Sequence, residues 1–238
     1  MFSWSYFLQQ SMNGVILGCI YALLALGMTV VYGILRLINF AHGALITIGA
    51  FFVYFIFFRA GINLAASLFL VLGFGGLMGL LLDAVAYRKL RGGPDVALLI
   101  TSLGFYTFVE NFMKMVVSPQ PYAFKTPASL AVMYRTPLLT FRSIDIFIIV
   151  SSLAIMLAFN LFVKRTRMGI AMRATAENLE VARSMGIEVN RVISLAFVLG
   201  SAIAAFTGFL WGAKYGQISY DMGFLTGVKA FVAVVVGG

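Results

Sequence analysis

Runs of about 20 apolar residues, broken by short polar turns, recur along this chain, and each is long enough to cross a bilayer as a helix. They are read at 12–33, 38–58, 64–87, 96–117, 143–163 and 191–212. A seventh apolar segment begins near Tyr220, is interrupted by Gly223, Gly227 and Lys229, and runs to Gly238. With 62% hydrophobic and 11% charged residues, the chain lies outside the range of soluble domains. Helices satisfy every backbone polar group internally, which lipid demands. The short alternating segments of a membrane β-barrel do not occur. The predicted fold class is therefore all-α: one polytopic transmembrane helical bundle over 1–238, with about seven spans or half-spans.

The net charge of +9 is distributed unevenly. By parity of the spans, the turns at 34–37, 88–95 and 164–190 share one side, and they hold nine basic residues: Arg36, Arg88, Lys89, Arg91, Lys164, Arg165, Arg167, Arg173 and Arg183. Arg191 sits at the membrane edge of that side. The other side has Arg59, Lys125, Arg135 and Arg142. Basic residues in short loops stay in the cytoplasm, so the first side is expected to be cytoplasmic and the N-terminus outside. The positive charge thus reflects topology and does not indicate nucleic-acid binding. The 118–142 segment then faces outward, and its four prolines make it an ordered or re-entrant loop. The N-terminus lacks the basic n-region of a cleavable signal, so the first apolar run is read as a retained span.

The longest polar interruption is Lys164 to Arg191, with six of the seventeen basic residues. A short helix is expected inside it. Thr175 is the candidate N-cap, Glu177 and Glu180 fall in the first turns, and Arg183 lies in the last. Gly186 is placed to be the left-handed residue that ends it, with Ile187 as the apolar closure. Ala176, Leu179 and Ala182 give a narrow small-residue face. Two readings stay open from periodicity alone: a helix that docks into a partner, or one lying on lipid headgroups.

Little here suggests covalent chemistry. His42, in INFAHG at 38–43, is the only histidine and has no second His or nearby carboxylate for metal or acid–base work. Asn39 and His42 are expected to hydrogen-bond backbone exposed at the turn. Cys19 is the only cysteine, so neither an intrachain disulfide nor a cysteine metal cluster is available. Glu110 and Lys114 stand four apart, the favourable order for a helix pair. Asp83 is expected to pair with Arg88 or Lys89. Lys229 lies deeper, where an amine needs a partner, water or a route to the surface. There is no GxxxxGK[ST] string, so ATP is not bound here through a P-loop. Glycines four apart, at Gly14 and Gly18, Gly75 and Gly79, and Gly208, Gly212 and Gly216, predict close helix packing. No catalytic residue, metal site or cofactor is predicted.

Four blocks together carry a resemblance: NGVILGCIYALLALGMTVVYGILRLINFAHGALITIGAF (13–51), AYRKLRGG with the following LLITSLGF (86–105), RTRMGIAMRATAENLEVARSMGIEVNRVISLAFVLGSAIAAFTGFL (165–210) and GFLTGVKAFVAVVVGG (223–238). The chain resembles the smaller membrane permeases of branched-chain amino acid ABC importers, a family that includes urea and short-amide permeases. The resemblance implies alternating access, a second permease subunit in a hetero- or homodimer, two cytoplasmic ATP-binding subunits that carry out the hydrolysis, and a periplasmic or lipid-anchored substrate-binding protein. It places the protein in the bacterial inner membrane. It assigns the 164–190 loop to ATPase coupling, through Arg173, Ala174, Glu177, Asn178, Ala182, Gly186 and Ile187. It points to a pathway wall at INFAHG, with Asn39 and His42; Thr47 and Lys229 are further candidates for that wall. Family members continue past the final GG into at least one more span, so a further C-terminal span is expected. An ion-coupled carrier or channel is the alternative class; it would need carboxylates buried mid-span, and none is evident in the sequence.

Overall fold

The computed structural model describes residues 4–36, 38–91 and 93–237. Among the described residues, six helices are long and apolar enough to cross a membrane. They are α1 (Trp4–Leu35), α2 (Ala41–Val53, continued through a π-helical turn to Arg59), α3 (Leu64–Leu82, continued likewise to Tyr87), α4 (Asp95–Val116), α5 (Ser143–Arg165) and α8 (Val189–Tyr215). Between α5 and α8 lie two short helices, α6 (Arg167–Glu177) and α7 (Leu179–Ser184). The last apolar segment forms α9 (Met222–Gly237), 16 residues long. Its glycines do not interrupt it. Gly223 and Gly227 sit against Gly43 of α2, so they serve close packing.

The bundle is organised around α8. Of its most apolar window, 72% is buried, against 11% for α5. The sequence explains the difference. The α8 face SAIAAFTG alternates small residues with larger ones, and α1, α2 and α3 close onto it. A Cβ on Gly75 would come within 2.6 Å of the Ala205 side chain. One on Gly27 would come within 2.9 Å of the Gly200 carbonyl. A side chain at Gly208 would run into the Ile46 backbone. The spacing read as helix packing is thus correct for Gly75, Gly79 and Gly208, whereas Gly212 makes room for the Ile218 and Phe124 side chains, which lie outside the helices. Gly14 and Gly18 differ, since among the described residues no other segment lies within 4 Å of a Cβ at either. Gly216 has another role: with φ +74° it ends α8 in the left-handed region, which glycine enters without a Cβ clash.

Two ends are defined by contacts between distant segments. At one, β1 (Tyr122–Ala123) pairs antiparallel with β4 (Gln217–Ile218), joining the 118–142 segment to the α8–α9 turn. A hairpin of β2 (Met133–Arg135) and β3 (Thr140–Arg142) completes that loop, which is ordered as its prolines suggested. At the other end Arg91 donates to Asn190 Oδ1 at 2.9 Å, bringing the turn after α3 beside the entry to α8. The basic turns therefore share one end, as parity required. Below, these are the hairpin end and the basic end.

Candidate functional site

The α6–α7 segment is built by its caps. The Thr166 hydroxyl accepts from Gly169 N–H at 3.0 Å and starts α6. A Cβ at Gly169 would strike the Phe162–Val163 backbone, so this glycine lets α6 fold back onto α5. Asn178 then takes an extended conformation, φ −154° and ψ 114°, which stops α6. Its side chain accepts from Glu180 and Val181 N–H at 2.9 and 3.0 Å and so starts α7. Gly186, at φ +81°, ends α7. Gly186 N–H donates to Arg183 O and Ile187 N–H to Ala182 O, both at 3.0 Å, the doubled bonding of a Schellman ending.

One expectation is corrected here. Thr175 does not cap a helix: it is buried inside α6, and its hydroxyl donates to Ala171 O at 2.7 Å. The single expected helix is two, because asparagine caps better than threonine and Asn178 stands three residues later. Glu177 is consequently the last residue of α6, while Glu180 does fall in a first turn, that of α7.

The segment has an inner and an outer face. Met172, Thr175 and Ala182 are buried, and Ala174, Ala176, Leu179 and Ile187 are half-buried. Arg173, Glu177, Asn178, Glu180, Arg183 and Gly186 are exposed. Among the described residues, Arg173, Glu177, Glu180 and Arg183 make no ion pair within 4 Å; the nearby surface pair is Arg191 with Glu188 at 2.7 Å. The result is a small platform anchored by apolar residues, with charges of both signs turned outward.

Of the four residues proposed for a pathway wall, three lie inside the bundle. Asn39 accepts from the Tyr87 hydroxyl at 2.8 Å, and the neighbouring Phe40 N–H donates to Ser102 Oγ at 3.3 Å. His42 is 1% exposed, with its ring against Gly27 where α1 crosses α8. Thr47 is equally buried and faces Gly223 of α9. His42 Nε2 and Thr47 Oγ1 have no hydrogen-bond partner among the described residues. The cavity between Asn39, Gly43, Phe224 and Gly227 measures about 10 Å³, room for about one water. That space is too small for an amino acid. Lys229 stands apart from these three in burial, exposed on α9.

Among the described residues two buried ion pairs complete the picture, and neither was read from the sequence. Asp83 pairs with Arg91, and it also accepts from Ser194 Oγ of α8 at 2.6 Å. The expected partners were Arg88 or Lys89. The chain tightens from a π turn into a 3₁₀ turn at 88–90, and that geometry brings Arg91 back over Asp83. Lys214 near the end of α8 pairs with Asp145 of α5 at 2.6 Å. Asp145 stands at the third position of α5 and also accepts from Arg142 N–H at 2.8 Å, so its helix-start signal was visible while its cross-helix partner was not. The expected Glu110–Lys114 pair is not formed; Lys114 Nζ lies over the Tyr220 ring, 5.6 Å from its centroid.

Residues 11–238 match the family model described as the branched-chain amino acid transport system permease component. The chain belongs to this permease family. It is 38% identical to the high-affinity branched-chain amino acid transport system permease protein LivH of Escherichia coli K12, covering 98% of this chain and 79% of the relative. It is 35% identical to the corresponding protein BraD of Pseudomonas aeruginosa, covering 98% and 80%. No solved structure matches it. The permease is thus a multi-pass membrane protein related to transport subunits, in keeping with its apolar helices.

Proposed function

We propose that this permease is the membrane subunit of an ATP-driven importer for a branched-chain or other apolar amino acid, and that α6–α7 is where a cytoplasmic ATPase grips it. The observation that carries this reading is the platform itself: caps fix its shape locally, apolar residues fix it to the bundle, and its outward charges have no internal partner. Such a surface transmits force from a partner without unfolding. The excess of basic residues at that end supports a cytoplasmic location, with the N-terminus outside. A second permease subunit and a binding protein that delivers the solute complete the assembly.

The buried acids favour this class over an ion-coupled carrier. A carrier needs carboxylates free to bind protons or sodium mid-membrane. Asp83 and Asp145 are already neutralised by Arg91 and Lys214. The occluded space around Asn39, His42 and Thr47 is assigned to the closed pathway, which opens as the helices around α8 rock apart.

The test is coupled uptake in the complete complex. Glu177→Arg reverses a charge on the platform, and Gly186→Pro cannot adopt φ +81°. Both variants are expected to insert and to lose amino acid uptake together with solute-stimulated ATP hydrolysis. Wild-type coupling in both would remove α6–α7 from the ATPase interface.

A further inference from the structure

An apolar groove lies at the basic end, between α1, α5 and α6. Its volume is about 330 Å³, and its wall is formed by Leu26, Val30 and Gly33 of α1, Phe159 and Val163 of α5 and Met172 of α6. These positions fall in the last turns of α1 and α5, where acyl chains give way to headgroups. Thr29 of α1 is exposed and α5 is the least buried of the six spans, so the groove faces outward from the bundle. The wall offers little to a polar ligand. The Thr29 hydroxyl also lines it, but donates to Ala25 O of its own helix at 2.7 Å. Among the described residues no other segment lies within 4 Å of a Cβ at Gly33, so that glycine keeps the groove open along α1.

The charge at its mouth is of one sign. Arg173 of α6 borders the groove. Lys164 and Arg165 directly follow Val163 of the wall, and Arg36 borders an adjoining hollow together with Glu177. Arg36, Lys164, Arg165 and Arg173 are exposed, and among the described residues none has an ion pair within 4 Å. We infer that the groove holds an acyl chain of an anionic phospholipid, with the headgroup phosphate on Arg173. Hydrocarbon matches the wall, and a fixed negative charge matches the mouth; basic pockets between spans at the cytoplasmic side bind such headgroups. The planar guanidinium suits a phosphate. Size decides against a helix of a second subunit. One helical turn, about 10 Å across and 5.4 Å long, displaces about 400 Å³, more than the groove holds. A single chain of methylenes is thin enough to lie along it. The lipid would sit at the root of α6–α7, yet the inference goes beyond the transport reading and does not rest on it.

The test uses the permease in its complete complex, in nanodiscs of phosphatidylcholine. Two probes carry a photoactivatable diazirine in the middle of one acyl chain: a phosphatidylglycerol and a phosphatidylcholine. After irradiation the adducts are mapped by mass spectrometry of the digested permease. The phosphatidylglycerol probe is expected to label 26–33 and 159–163 at about five times the yield of the other, the contribution of one cation near an anionic lipid. Arg173→Gln should remove that preference. Gly33→Leu fills the groove without striking another segment. It should abolish labelling of the groove and leave unchanged that of the exposed α3 face at 77–81. Equal labelling of the groove by the two probes in the wild type overturns the site, as does unchanged labelling in Gly33→Leu. Labelling by neither probe, with Gly33→Cys in a Cys19→Ser background crosslinking to a second permease subunit, gives the groove to that subunit and also overturns it. Labelling is read without ATP or solute. A complex that shows the expected labelling but no uptake keeps this site and loses the transport reading, whereas uptake without labelling does the reverse.

Discussion

The hairpin end and the α6–α7 platform are both polar structures outside the bundle, yet they are held in opposite ways. At the hairpin end the bonds reach far along the chain. Gln9 and Thr140 exchange two hydrogen bonds at 2.9 Å. Arg142 donates to Lys214 O at 2.7 Å and Thr126 to Ala213 O at 2.9 Å. The Asp145–Lys214 pair lies among them, and Phe124, 1% exposed, plugs the space beside Gly212. In the platform the polar bonds are local: Thr166 to Gly169, Asn178 to Glu180 and Val181, Gly186 to Arg183. A region stitched to distant helices loses its shape only with the bundle. A region folded by its own caps keeps its shape while it shifts. The difference suits a fixed rim at one end and a handle at the other.

Three perturbations rank along this comparison. The largest effect belongs to Lys214→Ala, which leaves Asp145 buried and unpaired; such losses cost about 3–5 kcal/mol. A large fall in the thermal unfolding midpoint of the purified complex is expected. Asp145→Asn combined with Lys214→Met should recover most of it, because no charge is then stranded. An unchanged midpoint in Lys214→Ala would mean that the pair does not lock the hairpin end. Next comes Asn178→Ala, worth about 0.5–2 kcal/mol as a lost cap. Its effect should be confined to faster amide exchange across 179–184 and weaker ATPase coupling, with the global midpoint held. A global fall matching that of Lys214→Ala would erase the distinction between the two regions. The smallest is Gln9→Ala, where one side chain gives up two solvent-accessible bonds and the cost is about 1 kcal/mol or less. Its amide-exchange change should appear in 140–142, far along the chain, and exchange confined to the first turns of α1 would refute the stitching.

Much of the scaffold was legible because lipid leaves so few choices. Apolar length fixed the number of spans, and glycine spacing identified the face of α3 at Gly75 that closes on α8 and the face of α8 at Gly208 that meets α2. Gly186 was readable because a helix end that needs positive φ has few candidates. What was not legible is what depends on tertiary neighbours. Asn178 and Thr175 are both plausible caps; packing decided between them by burying Thr175 in α6. Lys214 and Asp145 are 69 residues apart and nothing local announces their meeting. Arg91 displaced Arg88 and Lys89 as the partner of Asp83 through a tightened turn that periodicity does not encode. Glu110 and Lys114 had the right spacing for a helix pair, and the aromatic ring of Tyr220 took the lysine instead.

The central claim is that α6–α7 faces the cytoplasm and is covered there by an ATPase. It is tested most directly by labelling with a membrane-impermeant maleimide in a Cys19→Ser background, comparing Arg173→Cys on the platform with Lys125→Cys at the hairpin end. In intact cells position 125 should react and position 173 should not. In inside-out vesicles position 173 should react once the ATPase is stripped and be protected when it is restored. Labelling of position 173 from outside, or with undiminished rate under the bound ATPase, would contradict the account.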